Sequence, residues 1–200
     1  MAKRNSNDHY AERAKQLGYP ARSVFKLEEI MQKNSFIKKE MTVLDLGAAP
    51  GSWSLYLARQ GVKVVALDLK PLTVKHPNIT ALQGDMFSAE LAIQLSKLAP
   101  FDVVVSDAAP ATSGDRLVDA SRSHELAEMA FNLALTYLKP QGSFLVKVFQ
   151  NGDELELLKQ LKANFKEVKV VRPQAVRSES FECYFLAKLA GPVIKVANRP

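Results

Sequence analysis

The sequence predicts an α/β, doubly wound fold: a mostly parallel seven-stranded sheet with helices on both faces. Three observations carry that reading. From residue 42 onward, short apolar runs alternate with longer stretches at helical spacing, the pattern of strands joined by crossover helices. Val103-Val104-Val105 is apolar without interruption, as a strand covered on both faces should be. Finally, the small-residue turn Asp45-Leu-Gly-Ala-Ala-Pro-Gly-Ser-Trp53 separates the apolar run Met41–Leu44 from the helical spacing of Leu55–Ala58. A strand that opens through such a turn into a helix sets unpaired backbone N–H groups at the carboxyl edge of a sheet.

Taken in order, residues 1–20 form a basic N-terminal arm carrying Lys3, Arg4, Arg13 and Lys15 with little apolar periodicity. Val24, Phe25, Leu27, Glu28 and Met31 then mark a helical stripe within 21–31. Strands are expected at 42–46, 63–67, 79–83, 102–106, 143–149, 165–171 and 183–187, and helices at 52–60, 88–98, 117–138 and 153–163. Gly61 stops the first of these helices, Asp153 can cap the last, and Pro140-Gln-Gly142 separates the long helix from the strand after it. Leu126, Ala130, Leu133 and Tyr137 make the core stripe of that long helix. There are no internal repeats, so residues 21–190 read as one domain and 191–200 as a tail.

Composition narrows the function classes. At 200 residues, 47% apolar and 24% charged, the chain is an ordinary globular protein with enough length for a full core. Its single cysteine, Cys183, excludes an internal disulfide and suits a reducing, cytoplasmic setting. His9, His76 and His124 are scattered, which argues against a metal site. The N-terminus lacks a signal-peptide core, and no apolar stretch approaches the roughly 20 residues of a membrane span. The net charge of +6 favours a polyanionic partner.

In a doubly wound sheet, ligands gather beyond the carboxyl ends of the strands. Those positions hold Asp45, Asp68, Asp85 in Gly84-Asp-Met86, and Asp107 in Ser106-Asp-Ala-Ala-Pro110. Any one aspartate there could simply be closing a turn. Four at successive strand ends point to a site. Gly47, Ala48, Ala49 and Gly51 would let a ligand lie against the backbone, with Asp68 placed about 20 residues on for a ribose hydroxyl. Only Gly47 and Gly51 are glycines in this turn, so it is not a dinucleotide fingerprint, which argues against a nicotinamide-dependent oxidoreductase. Lys147 is the least ordinary residue. It sits within the apolar run Phe144-Leu-Val-Lys-Val-Phe149, where burying an ammonium costs several kcal/mol unless it is paired, and Asp107 is an available partner.

The motifs Asp45–Trp53, Ser106–Pro110 and Val146-Lys-Val-Phe-Gln150 resemble those of the FtsJ/RrmJ family, and the similarity runs in family order from about Arg22 to Ala187. Members are S-adenosylmethionine-dependent RNA ribose 2′-O-methyltransferases with a Rossmann-like methyltransferase fold. The resemblance implies a catalytic tetrad of Lys26, Asp107, Lys147 and Glu182. It also implies S-adenosylmethionine held by Gly51, Trp53, Asp68, Asp85 and Asp107, beside the turn residues Asp45 and Gly47. Ser52 departs from the family, where close relatives often have a second glycine; serine is small and suits a helix start.

Lys147 is the expected base, removing the hydroxyl proton while the site aligns hydroxyl and methyl. The nearby Lys26 would favour its neutral form and the two acids its charged form, a balance the sequence leaves open. RNA would cross a basic surface drawn from Arg4, Arg13, Arg22, Lys26, Lys33, Lys38, Lys39, Arg172 and Arg177. The expected partner is RNA, foremost 23S rRNA in the large ribosomal subunit, with neither DNA nor a membrane, and the protein working as a monomer. A tRNA or another rRNA site is the nearest alternative, and a non-catalytic RNA- or cofactor-binding module the one from a different class.

Overall fold

The computed structural model describes residues 6–110, 113–150, 152–176 and 181–190. In chain order these form α1 (Ser6–Gln16), α2 (Val24–Asn34), β1 (Thr42–Leu46), α3 (Ser52–Arg59), β2 (Lys63–Asp68), β3 (Ile79–Gln83) and α4 (Ala89–Leu98). Next come β4 (Phe101–Ser106), α5 (Arg116–Tyr137), β5 (Leu138–Phe149), α6 (Glu154–Asn164), β6 (Phe165–Val171) and β7 (Glu182–Ala190). The seven strands make one sheet in the order β3-β2-β1-β4-β5-β7-β6. All pairings are parallel except those of β7, which is antiparallel to both neighbours.

Side chains alternate between two cores, as strand geometry requires. Val43, Val64, Ala66, Val103, Val105, Leu145, Tyr184 and Leu186 face α2 and α3, meeting Leu27, Ile30, Trp53 and Leu57. Leu44, Leu46, Val65, Leu67, Val104, Phe144, Val146 and Val148 face the other way, onto α4, α5 and α6. The cysteine, Cys183, is buried in this second core.

The structure refines several boundaries. Strand β5 begins at Leu138, so Pro140-Gln-Gly142 lies inside it rather than between helix and strand. The register shifts between Phe101 and Val103 there, and Gln141 takes a positive φ, so the segment is absorbed as an irregularity. The α5 stripe is Ala127, Ala130, Phe131, Leu133 and Ala134, so Ala130 and Leu133 lie in the core as expected, while Leu126 and Tyr137 are only partly buried. Asp153 stands at the N-cap of α6 in helical φ/ψ without a capping side-chain hydrogen bond, whereas Ser88 caps α4 through Leu91 N–H. Helix α1 has no counterpart in the apolar spacing of the arm. Tertiary contacts hold it: Tyr10 packs on Phe25 at 5.5 Å between ring centroids, Arg13 lies 4.5 Å over the same ring, and Ala14 is buried.

Two features of the β1–α3 junction set its energetics. Gly47 has φ +72°, and a Cβ there would come within 2.6 Å of the Ala108 backbone. Gly51 has φ +112°, and a Cβ there would meet a methyl of the Val74 side chain. The glycines are therefore demanded by the chain packed against the turn, and not only by room for a ligand. Behind the turn, Asp45 is 1% exposed and accepts a 2.6 Å hydrogen bond from Ser54 Oγ in the first turn of α3. Burial pushes its carboxyl up to about 7. Ser54 opposes that rise, while Asp107 and Asp68 add to it.

Gly47→Ala should cost about 2–4 kcal/mol, from the left-handed backbone and the forced contact, and appear as a lower urea midpoint with an unchanged slope. For Asp45 the native state holds the proton more tightly than the unfolded chain. Its contribution to stability is therefore greatest below about pH 4 and is lost as pH rises through about 7, by at most about 4 kcal/mol. Asp45→Asn lacks this loss, so the stability of the variant relative to wild type should climb between pH 4 and 8. Urea melts that show a constant gap across that range would contradict the buried-acid account.

Candidate active site

The acids and amines at the carboxyl edge share one face of the sheet because they share a parity. Asp45 follows Val43 by two residues, Asp68 follows Ala66, Asp107 follows Val105, and Lys147 follows Leu145. Each of those apolar residues belongs to the core under α2 and α3. Continuing every strand by one inward position replaces hydrocarbon with charge at the edge where the ladder ends. Lys147 pairs with Tyr184, and Phe149 with Glu182, in the antiparallel β5–β7 register, which brings Glu182 and Tyr184 onto this face as well.

Lys147 is 6% exposed. Its Nζ donates to the Asp107 carbonyl oxygen at 2.6 Å and lies 3.2 Å from Asp107 Oδ1. Tyr184 Oη donates to the same Oδ1 at 2.8 Å. From α2, Lys26 forms an ion pair with Glu182, both side chains 12% exposed. The structure thus brings together all four residues of the expected tetrad as two adjoining acid–amine pairs. Burial pushes the Asp107 carboxyl up, but Lys147 and Lys26, with the Tyr184 hydroxyl, outweigh it and hold it below the usual carboxylate range. Tyr184 is fully buried; burial, together with Asp107 and Glu182, drives its phenol well above its ordinary value, so it stays neutral and donates.

The remaining candidates occupy the β1–β2 side. Asp68 Oδ2 accepts from Ala49 N–H at 2.9 Å and Oδ1 from Lys70 N–H at 2.8 Å, tying the turn to the end of β2 while its side chain stays partly exposed. Asp85 is exposed, and its Oδ1 closes a local turn with Phe87 N–H. Leu69 and Phe87, the apolar neighbours of these two acids, are 66% and 50% exposed. Asp45 and Trp53 lie deeper. Asp45 is enclosed behind the turn, and the Trp53 indole N–H donates to the Ser23 carbonyl at 2.8 Å, with its ring 5.9 Å from Tyr184. Trp53 is therefore a core residue that props α2 and α3 against the sheet under Tyr184, and Asp45 a buried partner of α3.

Sequence reasoning assigned no role to Tyr184 or Ser54. The signal for Tyr184 was its separation of two residues from Glu182, which puts both on one face of a strand. Of the basic residues, Arg13, Arg22, Lys26 and Lys33 are carried by α1, α2 and the turn between them, and Arg172 follows β6 at the carboxyl edge. Lys38 and Lys39 precede β1, at the opposite edge of the sheet, and do not belong to the surface around the tetrad. Arg4 and Arg177 lie outside the described residues. Among the described residues, no three metal-ligating side chains gather, and no helix is long and apolar enough to cross a membrane.

The model of the FtsJ-like methyltransferases matches residues 19–189. A ribosomal RNA large subunit methyltransferase E of Borreliella afzelii is 45% identical over 92% of this chain and 99% of its own length. One of the same name from Treponema denticola is 44% identical over 90% and 92%. The crystal structure of a ribosomal RNA methyltransferase from Plasmodium falciparum superposes with a TM-score of 0.75 at 26% identity, covering 86% of this chain and 98% of that one. A seven-stranded sheet with its last strand, β7, reversed, motifs in family order and relatives of matching length agree: the chain belongs to the FtsJ-like methyltransferases.

Proposed function

We propose that the protein transfers a methyl group from S-adenosylmethionine to a ribose 2′-hydroxyl of RNA, foremost a uridine of 23S rRNA in the large ribosomal subunit. Residues 21–190 act as the catalytic domain, and the protein works as a monomer in the cytoplasm. The observation that carries the reading is the Lys147 ammonium, 6% exposed and held by Asp107 at the carboxyl edge beside the Lys26–Glu182 pair. The names of the relatives specify large-subunit rRNA, which favours that target over tRNA.

The residues present fit the cofactor. Its ribose offers hydroxyl donors suited to Asp68, its adenine an amino group suited to Asp85, and exposed Leu69 and Phe87 give the ring an apolar bed beside them. When bound, it supplies a methyl already activated by a sulfonium charge. What remains for the protein is alignment and removal of a proton. Asp107, held ionised, anchors Lys147; Tyr184 fixes the carboxylate that does so; and Glu182 fixes Lys26 across the cleft. Lys147, after releasing the proton of its ammonium to solvent, is the base that takes the 2′-hydroxyl proton. Lys26 faces the oxygen as negative charge grows on it, the arrangement of an oxyanion donor. Because β5, β7 and α2 deliver these groups from a packed core, they are set in place before the substrate arrives.

Lys147→Ala should lower kcat by about 10²–10⁴-fold, the usual worth of a general base, while isothermal titration shows cofactor affinity within a few-fold of wild type. Lys147→Arg, which keeps a cation but cannot act as a base, should be as slow as Lys147→Ala; near-wild-type kcat in Lys147→Arg would remove Lys147 as the base. Tyr184→Phe leaves Asp107 without one donor in a fully buried site, so stability should drop by about 1 kcal/mol and kcat should fall more than KM changes. Ribose-methylation mapping of rRNA in cells with and without the protein tests the substrate: one large-subunit position should lose its mark. Binding to RNA should weaken steeply with salt, and a flat dependence would count against the basic surface.

A further inference from the structure

On the outer side of α2 a groove of about 290 Å³ is bounded by α1, α2 and the turn at 174–175. That volume stands near the lower end of the roughly 300–1,000 Å³ of small-ligand sites. The groove and the catalytic tetrad draw on the same helix, because Lys26 and Glu29, three residues apart, share a side of α2. Lys26 reaches Glu182 there, and Glu29 Oε2 accepts the Gln174 N–H at 2.7 Å. Along the groove, Arg13 lays one face of its guanidinium on Phe25 at 4.5 Å, yet its side chain remains 46% exposed. Its contact with Glu28 is 3.7 Å, longer than the 2.7–2.9 Å of a charge-assisted hydrogen bond, and Glu28 is 27% exposed. A half-exposed guanidinium, a carboxylate beside it, and Gln32 and Gln174 in the same lining make an unusual combination.

We propose that this groove is a nucleobase subsite: it holds an unpaired base bearing an exocyclic amine, from a nucleotide flanking the methylated ribose, stacked on Arg13 with Glu28 accepting from the amine. The inference rests on the proposed action on RNA. Splayed bases in single-stranded RNA are read by stacking on aromatic rings or guanidinium planes and by hydrogen bonds to their edges. The carboxylates of Glu28 and Glu29 disfavour a phosphate inside the groove. A uracil offers no exocyclic amine to Glu28, while cytosine, adenine and guanine do. Arg22 and Lys33 at the margins are placed for the flanking backbone.

The test uses the full-length protein and fluorescence anisotropy at one fixed salt concentration, with a uridine tetranucleotide and tetranucleotides carrying a single cytidine, adenosine or guanosine. The amine-bearing oligonucleotides should bind about fivefold tighter than the uridine one. Arg13→Ala and Arg13→Lys should both weaken them about tenfold, the scale of one lost stacking contact, since lysine keeps the charge and loses the plane. Glu28→Leu, which removes the accepting oxygens, should erase the preference without weakening the uridine oligonucleotide. Lys166→Ala, at an exposed position of β6 away from the groove, serves as the control for a purely electrostatic loss. Equal affinities across the four oligonucleotides, or an Arg13→Lys variant that binds like wild type, would overturn the subsite. Methylation of large-subunit rRNA by the same preparation separates the two ideas. If it proceeds without base preference the subsite alone falls, and if it fails the proposed reaction falls.

Discussion

Everything at the carboxyl edge depends on keeping one ammonium inside a hydrocarbon strand. A lone charge in such a place costs several kcal/mol, and the fold meets that cost with a carboxylate and a carbonyl from the same residue, Asp107. This fixes more than Lys147. The end of β4 must stop where Asp107 can turn back to β5, and Ala108 is thereby brought against the β1 turn. Residue 47 must then be glycine. Tyr184 must stand opposite Lys147 to complete the coordination of Oδ1, which in turn sets the β5–β7 register. The ion pair is thus a constraint on four strands.

A second consequence follows from the alternation of side chains. The core under α2 and α3 is continuous hydrocarbon up to the level of Val105 and Leu145, and the next inward position on each strand is charged or polar. Such a layer can exist only at an edge, because in the middle of the sheet its members would have no route to solvent or to a ligand. Asp45 shows what happens one level deeper. Fully enclosed, with two other acids in its neighbourhood, its carboxyl rises to about 7, so it holds its proton well above the ordinary aspartate range as a strut between β1 and α3. Depth below the edge separates a structural acid from one that can meet a substrate.

Much of this could be read in the residues alone. Uniform apolar runs at Val103–Val105 and an isolated lysine in Phe144–Phe149 gave the buried strands and the odd charge within them, and the strand ends gave the acids. The unread part has a common cause. Helix α1 depends on Phe25 and Arg13 meeting across the chain, the start of β5 on an irregular register with β4, and the burial of Trp53 on the Ser23 carbonyl. These are tertiary contacts with no local periodicity to announce them. The same holds for Lys38 and Lys39, which a list of basic residues cannot tell from Lys26 until the direction of β1 separates the two edges of the sheet.

The charge count of the site fits the proposed chemistry. Asp107 and Glu182 contribute two negative charges and Lys26 one positive charge, while Asp45, enclosed behind the turn and raised to about 7, lies outside this quartet. To act as the base, Lys147 must first release the proton of its ammonium to solvent; the quartet would then carry a net −1, which the positive charge of a bound sulfonium would balance. Taking up the hydroxyl proton would return Lys147 to its ammonium and the quartet to the two acid–amine pairs of the structure, so the total would again be zero. The positive charge moves a short distance across the pocket instead of appearing or vanishing within it. In a low-dielectric site, where creating a net charge is costly, that neutrality at both ends of the reaction gives a physical reason for pairing two amines with two acids.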